Sequence, residues 1–485
     1  MALAAGALMA ATVAAQDGLA QPAWPQFRGP GGLGVAAAGN PPVHFGPESN
    51  VLWQITLPSG NSSPCVWGNR IFLTAVDHSK LETICLDRRD GRVLWSQTAV
   101  AEKLEPTHRL GSPATPTPAT DGRLVFVYFG SIGLLAYDFE GQERWRRPLP
   151  APVVEFGAAP SPVLAGALVI LVCDQDEGSY LLAVDRSTGR TAWRTERAEF
   201  RRSFATPLVW RHDGDEELVV PGSIWLKSYD LKNGRERWSV SGTSRVACSS
   251  PAAGGDILLS ASWNVGGDPD SRITMPPFEE FASGHDSDKD GKLTLDEIPA
   301  GPVRERFTQM DLNKDGIVTP AEWEGMREMF AKAGNALLAI RAGGHGDITQ
   351  THLAWKVTRS LPYVSSPLFY EGRVYTVKNG GLASCYDAKT GQVHYQDERL
   401  GAPGDYYSSA VAAAGRIYLA SQNGMMLVLS AGDELNVLAR NPLGEQVMAT
   451  PAVVEGRIYV RTAGHLYAFG RESETRPAGS AKKYP

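Results

Sequence analysis

The sequence predicts an all-β protein, an eight-bladed β-propeller of four-stranded blades with a small α-helical insertion. Three observations lead to this prediction. A unit of roughly 45 residues recurs along the 485-residue chain. The chain is rich in turn-forming residues, with 51 Gly and 33 Pro. One copy of the unit is longer than the others, and the extra segment is strongly acidic.

The repeated unit contains an apolar strand, an Asp, a turn with Gly and an aromatic residue on the following strand. The first copy runs from Asp87 through Gly91 to Trp95. A seventh copy, around Leu427 to Val437, lacks the aromatic residue, and the last strand, Leu466 to Phe469, has no Trp after it. The other aromatic positions are Trp145, Trp193, Trp238, Trp355 and, in place of Trp, Tyr395.

A second motif precedes each copy and consists of two small residues, Pro, an apolar run and a Gly turn. Eight copies of each half of the unit predict eight blades. The copies of the second motif lie at Ser63-Pro64, Thr115-Pro116, Ser161-Pro162, Thr206-Pro207, Ser250-Pro251, Ser366-Pro367, Thr450-Pro451 and, without Pro, Ser409-Ala410.

Packing explains why such units form a propeller. A single four-stranded sheet cannot bury both faces, whereas sheets stacked around an axis bury them and leave only short edges. The large Trp of each outer strand can pack against the neighbouring blade. Trp53, which precedes the first unit, is predicted to supply the missing eighth outer strand and close the ring. A β-solenoid and two smaller β-domains are the alternatives.

These motifs resemble the pyrroloquinoline-quinone-type propeller repeat with its Asp-x-x-x-Gly-x-x-x-Trp docking motif. Members include quinoprotein dehydrogenases and the outer-membrane assembly lipoprotein. The segments Trp24 to Pro30 and Phe200 to Trp210 resemble a bacterial secreted subgroup of such propellers. The resemblance covers nearly the whole chain except residues 264–334, and it implies the fold more specifically than the function.

The acidic segment contains two runs that fit the twelve-residue EF-hand loop. Between Pro276 and Phe330, thirteen Asp and Glu face six Lys and Arg, whereas the whole chain carries a net charge of −6. Oxygens at loop positions 1, 3, 5, 7, 9 and 12 converge on Ca²⁺, and Gly at position 6 allows the turn. The predicted ligands are Asp286, Asp288, Asp290, Lys292, Thr294 and Glu297 in loop one, and Asp311, Asn313, Asp315, Ile317, Thr319 and Glu322 in loop two, with Lys292 and Ile317 acting through their backbone carbonyls.

The sequence therefore predicts two Ca²⁺ sites, and loop one is expected to bind more tightly because it presents more anionic ligands. Leu293 and Val318 are expected to pair the two loops through a short β-bridge. The insertion falls between the second and third strands of the fifth unit, so we expect it beside the mouth of the central channel. A small shared core is predicted from Phe278, Phe281, Phe307, Trp323, Met326 and Phe330.

The same face of the propeller is the expected place for a protein or small-molecule ligand. Nucleic acid is not an expected partner, because the chain has no basic excess. A solvated rim is the alternative to a site. Polar clusters predicted at the mouth are His108-Arg109, Asp174-Gln175-Asp176, Arg201-Arg202, Trp225, Lys378-Asn379 and Tyr406-Tyr407.

The ends of the chain bear on its compartment. Residues 1–15 are apolar and end in Val13-Ala14-Ala15, which is typical of a signal peptidase site, although the usual basic residue is missing. An Ala-rich terminus without that role is the alternative. We expect a periplasmic or secreted protein without a transmembrane segment. The predicted segments are a signal peptide (1–15), an N-terminal extension (16–50), propeller blades (51–263, with the closing strand at 51–56), the EF-hand pair (264–334), further blades (335–470) and a disordered tail (471–485).

These observations favour a calcium-binding propeller that acts as a binding or assembly scaffold. A calcium-dependent protein-interaction module is one alternative. The other, implied by the resemblance, is a pyrroloquinoline-quinone-dependent oxidoreductase, which needs quinone stacking and an active-site calcium. Such dehydrogenases usually have an adjacent Cys pair, which the five scattered cysteines do not provide, and no catalytic residue can be assigned. The quinone thus has no support from the residues themselves.

Overall fold

The computed structural model describes residues 21–471 and confirms the eight-bladed β-propeller. The predicted signal peptide and all but the first residue of the predicted tail lie outside this range. Each blade is an antiparallel sheet of four strands, which we number from the channel outward. Blades 1 to 4 comprise Cys65–Trp67, Arg70–Asp77, Lys80–Asp87 and Val93–Val100; Ala119–Thr120, Leu124–Phe129, Gly133–Asp138 and Glu143–Pro148; Val163–Ala165, Leu168–Cys173, Tyr180–Asp185 and Thr191–Glu196; and Leu208–His212, Asp215–Pro221, Trp225–Tyr229 and Glu236–Ser241.

Blades 5 to 8 repeat this arrangement, and the last blade takes its outer strand from the beginning of the chain. Val51–Thr56 pairs with His465–Phe469, so Trp53 closes the ring as the sequence predicts. The strands are Ala252–Gly254, Ile257–Ser262, Ala336–Arg341 and Leu353–Val357; Leu368–Tyr370, Arg373–Lys378, Leu382–Asp387 and Val393–Arg399; Val411–Ala413, Arg416–Ala420, Met425–Ser430 and Asn436–Pro442; and Ala452–Val454, Arg457–Arg461, His465–Phe469 and Val51–Thr56.

Burial within a blade explains the sequence pattern of its strands. Gly133–Asp138, the third strand of blade 2, is buried throughout because neighbouring blades cover both of its faces. Glu143–Pro148, the outer strand of the same blade, is almost entirely exposed. The sequences of inner strands are therefore continuous runs of apolar residues. Outer strands such as Glu143–Pro148 are rich in charged residues and contain one aromatic residue that packs against the next blade.

Five blades each dock onto the next blade through one tryptophan of their outer strand. Each indole nitrogen donates to a backbone carbonyl near the motif turn of the following blade, and its ring covers the motif glycine. Glycine is required there because a Cβ on Gly141, for example, would stand 2.8 Å from the ring of Trp95. The donations are Trp53 to Arg88 (3.1 Å), Trp95 to Phe139 (2.8 Å), Trp145 to Arg186 (2.9 Å), Trp193 to Leu231 (2.9 Å) and Trp355 to Ala388 (2.9 Å).

Trp238 departs from this arrangement because blade 5 lacks the Asp-Gly turn onto which it would dock. Its indole nitrogen donates instead to the carboxylate of Glu217 in its own blade, at 2.8 Å. Glu217 is 1% exposed and also accepts from Ser228 and contacts His212. The short strand Gly346–Asp347 pairs in parallel with the outer strand of blade 4 and covers this region.

A closed ring of hydrogen bonds surrounds the channel at the start of the first strands. In each blade, a Ser or Thr hydroxyl accepts the backbone N–H of the equivalent residue in the preceding blade, at 2.9 to 3.1 Å. The blade 2 member is Thr117, two residues beyond the Thr115-Pro116 pair that the sequence motif indicated. The other members are Ser63, Ser161, Thr206, Ser250, Ser366, Ser409 and Thr450.

The insertion lies between the second and third strands of blade 5. It contains helices α1 (Phe278–His285), α2 (Phe307–Met310) and α3 (Pro320–Lys332), with 3₁₀ turns at Pro269–Ser271, Leu295–Glu297 and Arg304–Arg306. The two-residue strands Leu293–Thr294 and Ile317–Val318 pair with each other as predicted. Of the predicted core residues, Phe281 packs against a buried cluster that includes Phe278, Phe307, Trp323, Met326 and Phe330.

The N-terminal segment crosses the face opposite the insertion. Ala23–Trp24 pairs with the first strand of blade 1, a 3₁₀ turn follows at Pro30–Gly32, and Val35 forms a bridge to Ala412 in blade 7. The fully buried Arg28 donates to the carbonyls of Pro251 (3.2 Å) and Pro367 (2.7 Å), in blades 5 and 6. Within residues 21–471, no helix has the length and apolarity to cross a membrane.

Candidate binding site at the mouth of the central channel

A cavity of about 480 Å³ occupies the channel. Phe27 of the N-terminal segment contributes to its lining, as do the eight hydroxyl residues of the ring. Aromatic and apolar side chains, among them Phe156, Phe204 and Tyr363, contribute to the rest of the wall. This volume falls in the range typical of small-molecule sites.

Some of the residues predicted at the mouth line this cavity and others do not. His108, Arg202 and Tyr407 line it, and Arg109 lines a smaller adjoining cavity of about 160 Å³. Asp174 turns away into a buried ion pair with Arg197, whose Nε donates to it at 2.8 Å. Predicted residues that are absent from the lining of both cavities are Gln175, Asp176, Arg201, Trp225, Lys378, Asn379 and Tyr406.

The insertion reaches the cavity through Gln309 of α2, as its position in blade 5 led us to expect. The Nη1 of Arg245 donates to the side-chain oxygen of Gln309 at 2.9 Å. The Nη1 of Arg201 donates to the backbone carbonyl of the same residue at 3.3 Å. Arg245 also lies over the ring of Phe330 in α3, with its guanidinium carbon 5.3 Å from the ring centroid. Gln309 thus joins the helical insertion to two arginines of the propeller.

The arginines at the mouth differ in how their charges are compensated. Arg202 is neutralised by Asp176 and by Glu155, whose carboxylate it contacts at 2.8 Å. Within the described range, neither Arg201 nor Arg245 forms an ion pair with a carboxylate. Burial, and then the nearby positive charges of Arg306 and Arg202, lower the pKa of Arg245 to about 10. Burial lowers the pKa of Arg201 as well.

The thiol of Cys248 and the phenol of Tyr363, close to Arg245, are both protonated at neutral pH. Burial raises the pKa of the Cys248 thiol to about 12. The closeness of Cys248, together with burial, raises the pKa of Tyr363 to about 12. The lining therefore contributes neutral side chains beside positively charged arginines.

Sequence reasoning missed Arg245, Asn264, Gln309 and Tyr363, which also line the cavity. These residues come from separate connections and from the insertion, and no local motif links them. The one signal was topological, because each falls in a connection of the kind that the propeller brings to the mouth.

The two predicted calcium loops have matching geometry. In each loop the carboxylate at position 1 accepts from the N–H of the glycine at position 6, at 3.0 Å. In each loop the glutamate at position 12 accepts from the backbone N–H groups at positions 2 and 9. Lys289 and Lys314, at position 4, both have φ of 60°. The two segments therefore share one backbone conformation.

The donor chemistry of loop one fits a hard cation. Carboxylate oxygens of Asp286, Asp288 and Asp290 lie within 4.8 Å of one another. The Oδ1 of Asp286 is buried and has no hydrogen-bond partner among the described residues. Hydrogen bonds from Thr294 and Ser287 lower the pKa of Glu297 to about 2, so its carboxylate is ionised at any physiological pH.

Loop two offers a similar set with one neutral member. Asn313 donates through Nδ2 to Asp315 at 2.8 Å. Burial alone would raise the pKa of Glu322, but hydrogen bonds from Thr319 and Leu312 hold it below its usual value. Both loops thus present oxygens of the kind that Ca²⁺ takes in proteins.

A quinone cofactor would need stacking surfaces, an active-site calcium and a catalytic base in the channel. Aromatic residues and arginines could accept a planar anion there. However, the described residues that line the cavity include no Asp or Glu to hold an active-site calcium or to act as a base. The lining does not fit the chemistry of a quinone-dependent dehydrogenase.

Comparison with protein-family models gives one match, to the family described as outer membrane protein assembly factor BamB. The model matches residues 43–152, 82–247 and 345–436, which together cover more than half of the chain. A BamB of Alkalilimnicola ehrlichii is 29% identical over 155 residues. That alignment spans 32% of this chain and 37% of the relative, so the chain matches well under half the length of that protein.

Comparison with solved structures supports the fold. BamB from Moraxella catarrhalis matches with a TM-score of 0.54 and 13% identity, over 86% of this chain and 98% of its own. A quinohemoprotein alcohol dehydrogenase from Comamonas testosteroni matches with a TM-score of 0.53 and 14% identity, over 96% and 83% of the two chains. A europium-containing methanol dehydrogenase matches at 0.56 with 11% identity, over 93% and 98%. At these identities the likeness concerns the fold alone.

Proposed function

This chain belongs to the family of the outer membrane protein assembly factor BamB, and from that premise we propose that it is a binding scaffold of the periplasm. In this proposal it binds a partner at the mouth of its central channel, and its insertion binds two calcium ions beside that mouth. The proposal concerns binding, because the cavity lining lacks the groups that quinone-dependent catalysis requires.

One observation carries the proposal: Gln309 of the insertion bonds to Arg201 and Arg245 at the channel mouth. Gln309 lies two residues before Asp311, the first predicted ligand of loop two. An ion that ordered loop two would therefore also order one edge of the mouth. Calcium would act there as a structural element of the binding face.

Electrostatics supports calcium uptake by the insertion. Thirteen acidic and six basic residues lie between Pro276 and Phe330, while the rest of the chain is close to neutral. Two Ca²⁺ ions would bring four positive charges and neutralise most of this local excess. Three convergent carboxylates in loop one, with an unpartnered buried oxygen, supply the first contacts.

Site-specific photo-crosslinking tests the scaffold function. A photoreactive amino acid at Tyr407, on the mouth, is expected to capture a discrete partner in the envelope of the source cells. The matched control carries the same amino acid at Gln392, in the turn of blade 6 on the opposite face. Adducts at both positions alike, or at neither, would contradict a binding face at the mouth.

A calcium-dependent interaction module is the second candidate, favoured by the contact between the insertion and the mouth. Repeating the crosslinking with a chelator separates the two candidates. The calcium-dependent module loses the Tyr407 adduct on chelation, whereas a scaffold that uses calcium only for stability keeps it below the unfolding temperature.

A further inference from the structure

Among the described residues, the guanidiniums of two arginines at the channel mouth donate only to neutral oxygens of one residue, Gln309. Arg245 donates to the side-chain oxygen of Gln309, and Arg201 donates to its backbone oxygen. Arg202 and Arg306 add further positive charge close to Arg245. Within residues 21–471, Asp176 and Glu155 form ion pairs with Arg202. Glu305 contacts Arg306 at 3.8 Å.

Burial of Arg245 and Arg201 is costly because, among the described residues, neither forms an ion pair with a carboxylate. Like charges repel more strongly when burial removes water. The free energy lost when a guanidinium is buried is not recovered unless an anion pairs with it. The Nε of Arg245 is buried and has no hydrogen-bond partner among the described residues. Arg245 therefore has hydrogen-bond donors left over for an acceptor supplied by a ligand.

The adjoining cavity indicates what such an anion would be attached to. Its wall near the arginines contains Phe156, Phe204, Tyr363 and Tyr407, and it extends inward to Phe27. A hydrated inorganic ion would leave these apolar surfaces wet, whereas an aromatic or branched apolar body would cover them.

The hydroxyl ring supplies additional donors. Each of its eight hydroxyl oxygens accepts a backbone N–H from the preceding blade. None of these hydroxyls donates to another described residue in the structure, so their hydrogens are free for water or for polar atoms of a ligand. The base of the cavity thus favours acceptors, as its mouth does.

We propose that the channel mouth binds the carboxylate of an apolar acid through Arg245, and that Gln309, whose backbone carbonyl Arg201 contacts, holds the place of that carboxylate in the free protein. The side-chain oxygen that Gln309 presents to Arg245 stands where one oxygen of a carboxylate would bind. A carboxylate makes stronger, charge-assisted bonds to arginine than neutral oxygens do, so it displaces Gln309. This inference rests on the proposed function for its setting, because it names the chemistry that the binding face recognises.

Displacement of Gln309 links the acid to calcium. The helix that carries Gln309 ends at Met310, and the first residue of loop two, Asp311, follows directly. We expect a ligand that moves α2 to change the calcium affinity of loop two, and calcium then changes the ligand affinity by the same factor.

Calorimetry of the full calcium-loaded chain with N-acetyl-phenylalanine tests the proposal. N-acetyl-phenylalaninamide is the matched neutral probe, because it differs only in the carboxylate. We expect the acid to bind at least tenfold more tightly than the amide, about 1.4 kcal/mol at the level of one charge-assisted contact. Equal affinity of the acid and the amide would overturn the proposal.

Three variants locate the site. Arg245→Gln is expected to weaken acid binding about tenfold or more, and Arg147→Gln, on the exposed outer strand of blade 2, is expected to leave it unchanged. Gln309→Ala is expected to strengthen it about threefold, because the competing oxygen is gone. The Gln309 variant keeps both arginines, so it tests the proposal even if Arg245→Gln fails to fold. Weaker binding by Gln309→Ala, or unchanged binding by a folded Arg245→Gln, would contradict the site.

A further comparison distinguishes the source of the carboxylate. 3-Phenylpropionate represents a free acid, and a hexapeptide that ends in Phe, with a free or an amidated C-terminus, represents the end of a polypeptide. Tighter binding of the free-ended peptide assigns a protein terminus, and tighter binding of 3-phenylpropionate assigns a small acid. If the Tyr407 crosslink forms but N-acetyl-phenylalanine, 3-phenylpropionate and the free-ended peptide all fail to bind, this inference fails while the scaffold function stands.

Discussion

At the scale of single residues, the blade motif combines two demands on one glycine. Gly391 has φ of +73°, and a Cβ there would stand 2.7 Å from the ring of Trp355. Gly372 has nearly the same φ, +74°, but nothing lies within 4 Å of a Cβ at that position. The motif glycine therefore serves both the turn and the docking of the preceding blade, whereas Gly372 serves only the turn.

This pair of residues separates the two effects by measurement. Gly372→Ala is expected to lower the free energy of unfolding by about 1 kcal/mol, from backbone strain alone. Gly391→Ala is expected to lower it by a further 1 to 3 kcal/mol or so, because the tryptophan must also move. Chemical denaturation of both variants measures the difference, and equal losses would show that tryptophan docking contributes nothing at this blade.

The sequence predicts residues that repeat and misses residues that converge. The Asp, Gly and Trp of the motif recur at fixed spacing, so the sequence alone indicated the ring and its closure by Trp53. Thr117 was missed by two residues because Thr115-Pro116 precedes an almost identical Thr-Pro pair. Trp238 looked like its relatives, but blade 5 lacks the Asp-Gly motif turn onto which it would dock. Arg245 and Gln309 meet only in the folded chain.

At the scale of elements, the insertion contains two loops that share one backbone conformation but differ in the number of negatively charged side chains they offer to an ion. Loop one offers Asp at positions 1, 3 and 5, whereas loop two has Asn313 at position 3, and that amide already donates to Asp315. Fewer negative ligands and an internal hydrogen bond that must break both weaken an oxygen site for Ca²⁺. We therefore expect loop one to bind Ca²⁺ more tightly than loop two.

Calorimetric calcium titration of Glu297→Gln and Glu322→Gln tests this ranking. Each change removes one bidentate carboxylate and is expected to abolish or strongly weaken its own site. Glu322→Gln should leave the tighter site, and Glu297→Gln should leave the weaker one. The opposite order would refute the argument from ligand charge.

The position of the insertion was predictable, and its contact with the mouth was not. The excess length of the fifth unit and the order of strands in a blade together indicate a connection on the mouth side. Which residue of α2 reaches the arginines depends on how the helices pack around Trp323 and Phe330. Sequence spacing does not determine that packing, so Gln309 carried no signal of its own.

At the scale of the whole molecule, the N-terminal segment joins blades that are far apart in the chain. Arg28 reaches carbonyls 223 and 339 residues away, and no ion pair with another described residue offsets its burial. Burial lowers the pKa of Arg28 to about 10, so it stays charged at neutral pH. It holds the segment that carries Phe27 into the channel.

Replacing Arg28 is therefore expected to loosen the ring. Arg28→Met should lower the free energy of unfolding by about 2 to 4 kcal/mol, because buried carbonyls lose a charged donor. Arg147→Met, at an exposed position, is the control and should change it by less than about 0.5 kcal/mol. Denaturant unfolding followed by tryptophan fluorescence measures both, and similar values would show that the segment is not a structural tie.

We propose that the insertion, with calcium bound, and the channel mouth form one unit. Hydrogen–deuterium exchange of the full chain, with calcium and with chelator, tests it most directly. We expect calcium to slow amide exchange in residues 286–322 and also in residues 241–250 around Arg245, and to leave the outer strand of blade 2 unchanged. Unchanged exchange in residues 241–250 would contradict the claim, whether or not the loops themselves respond.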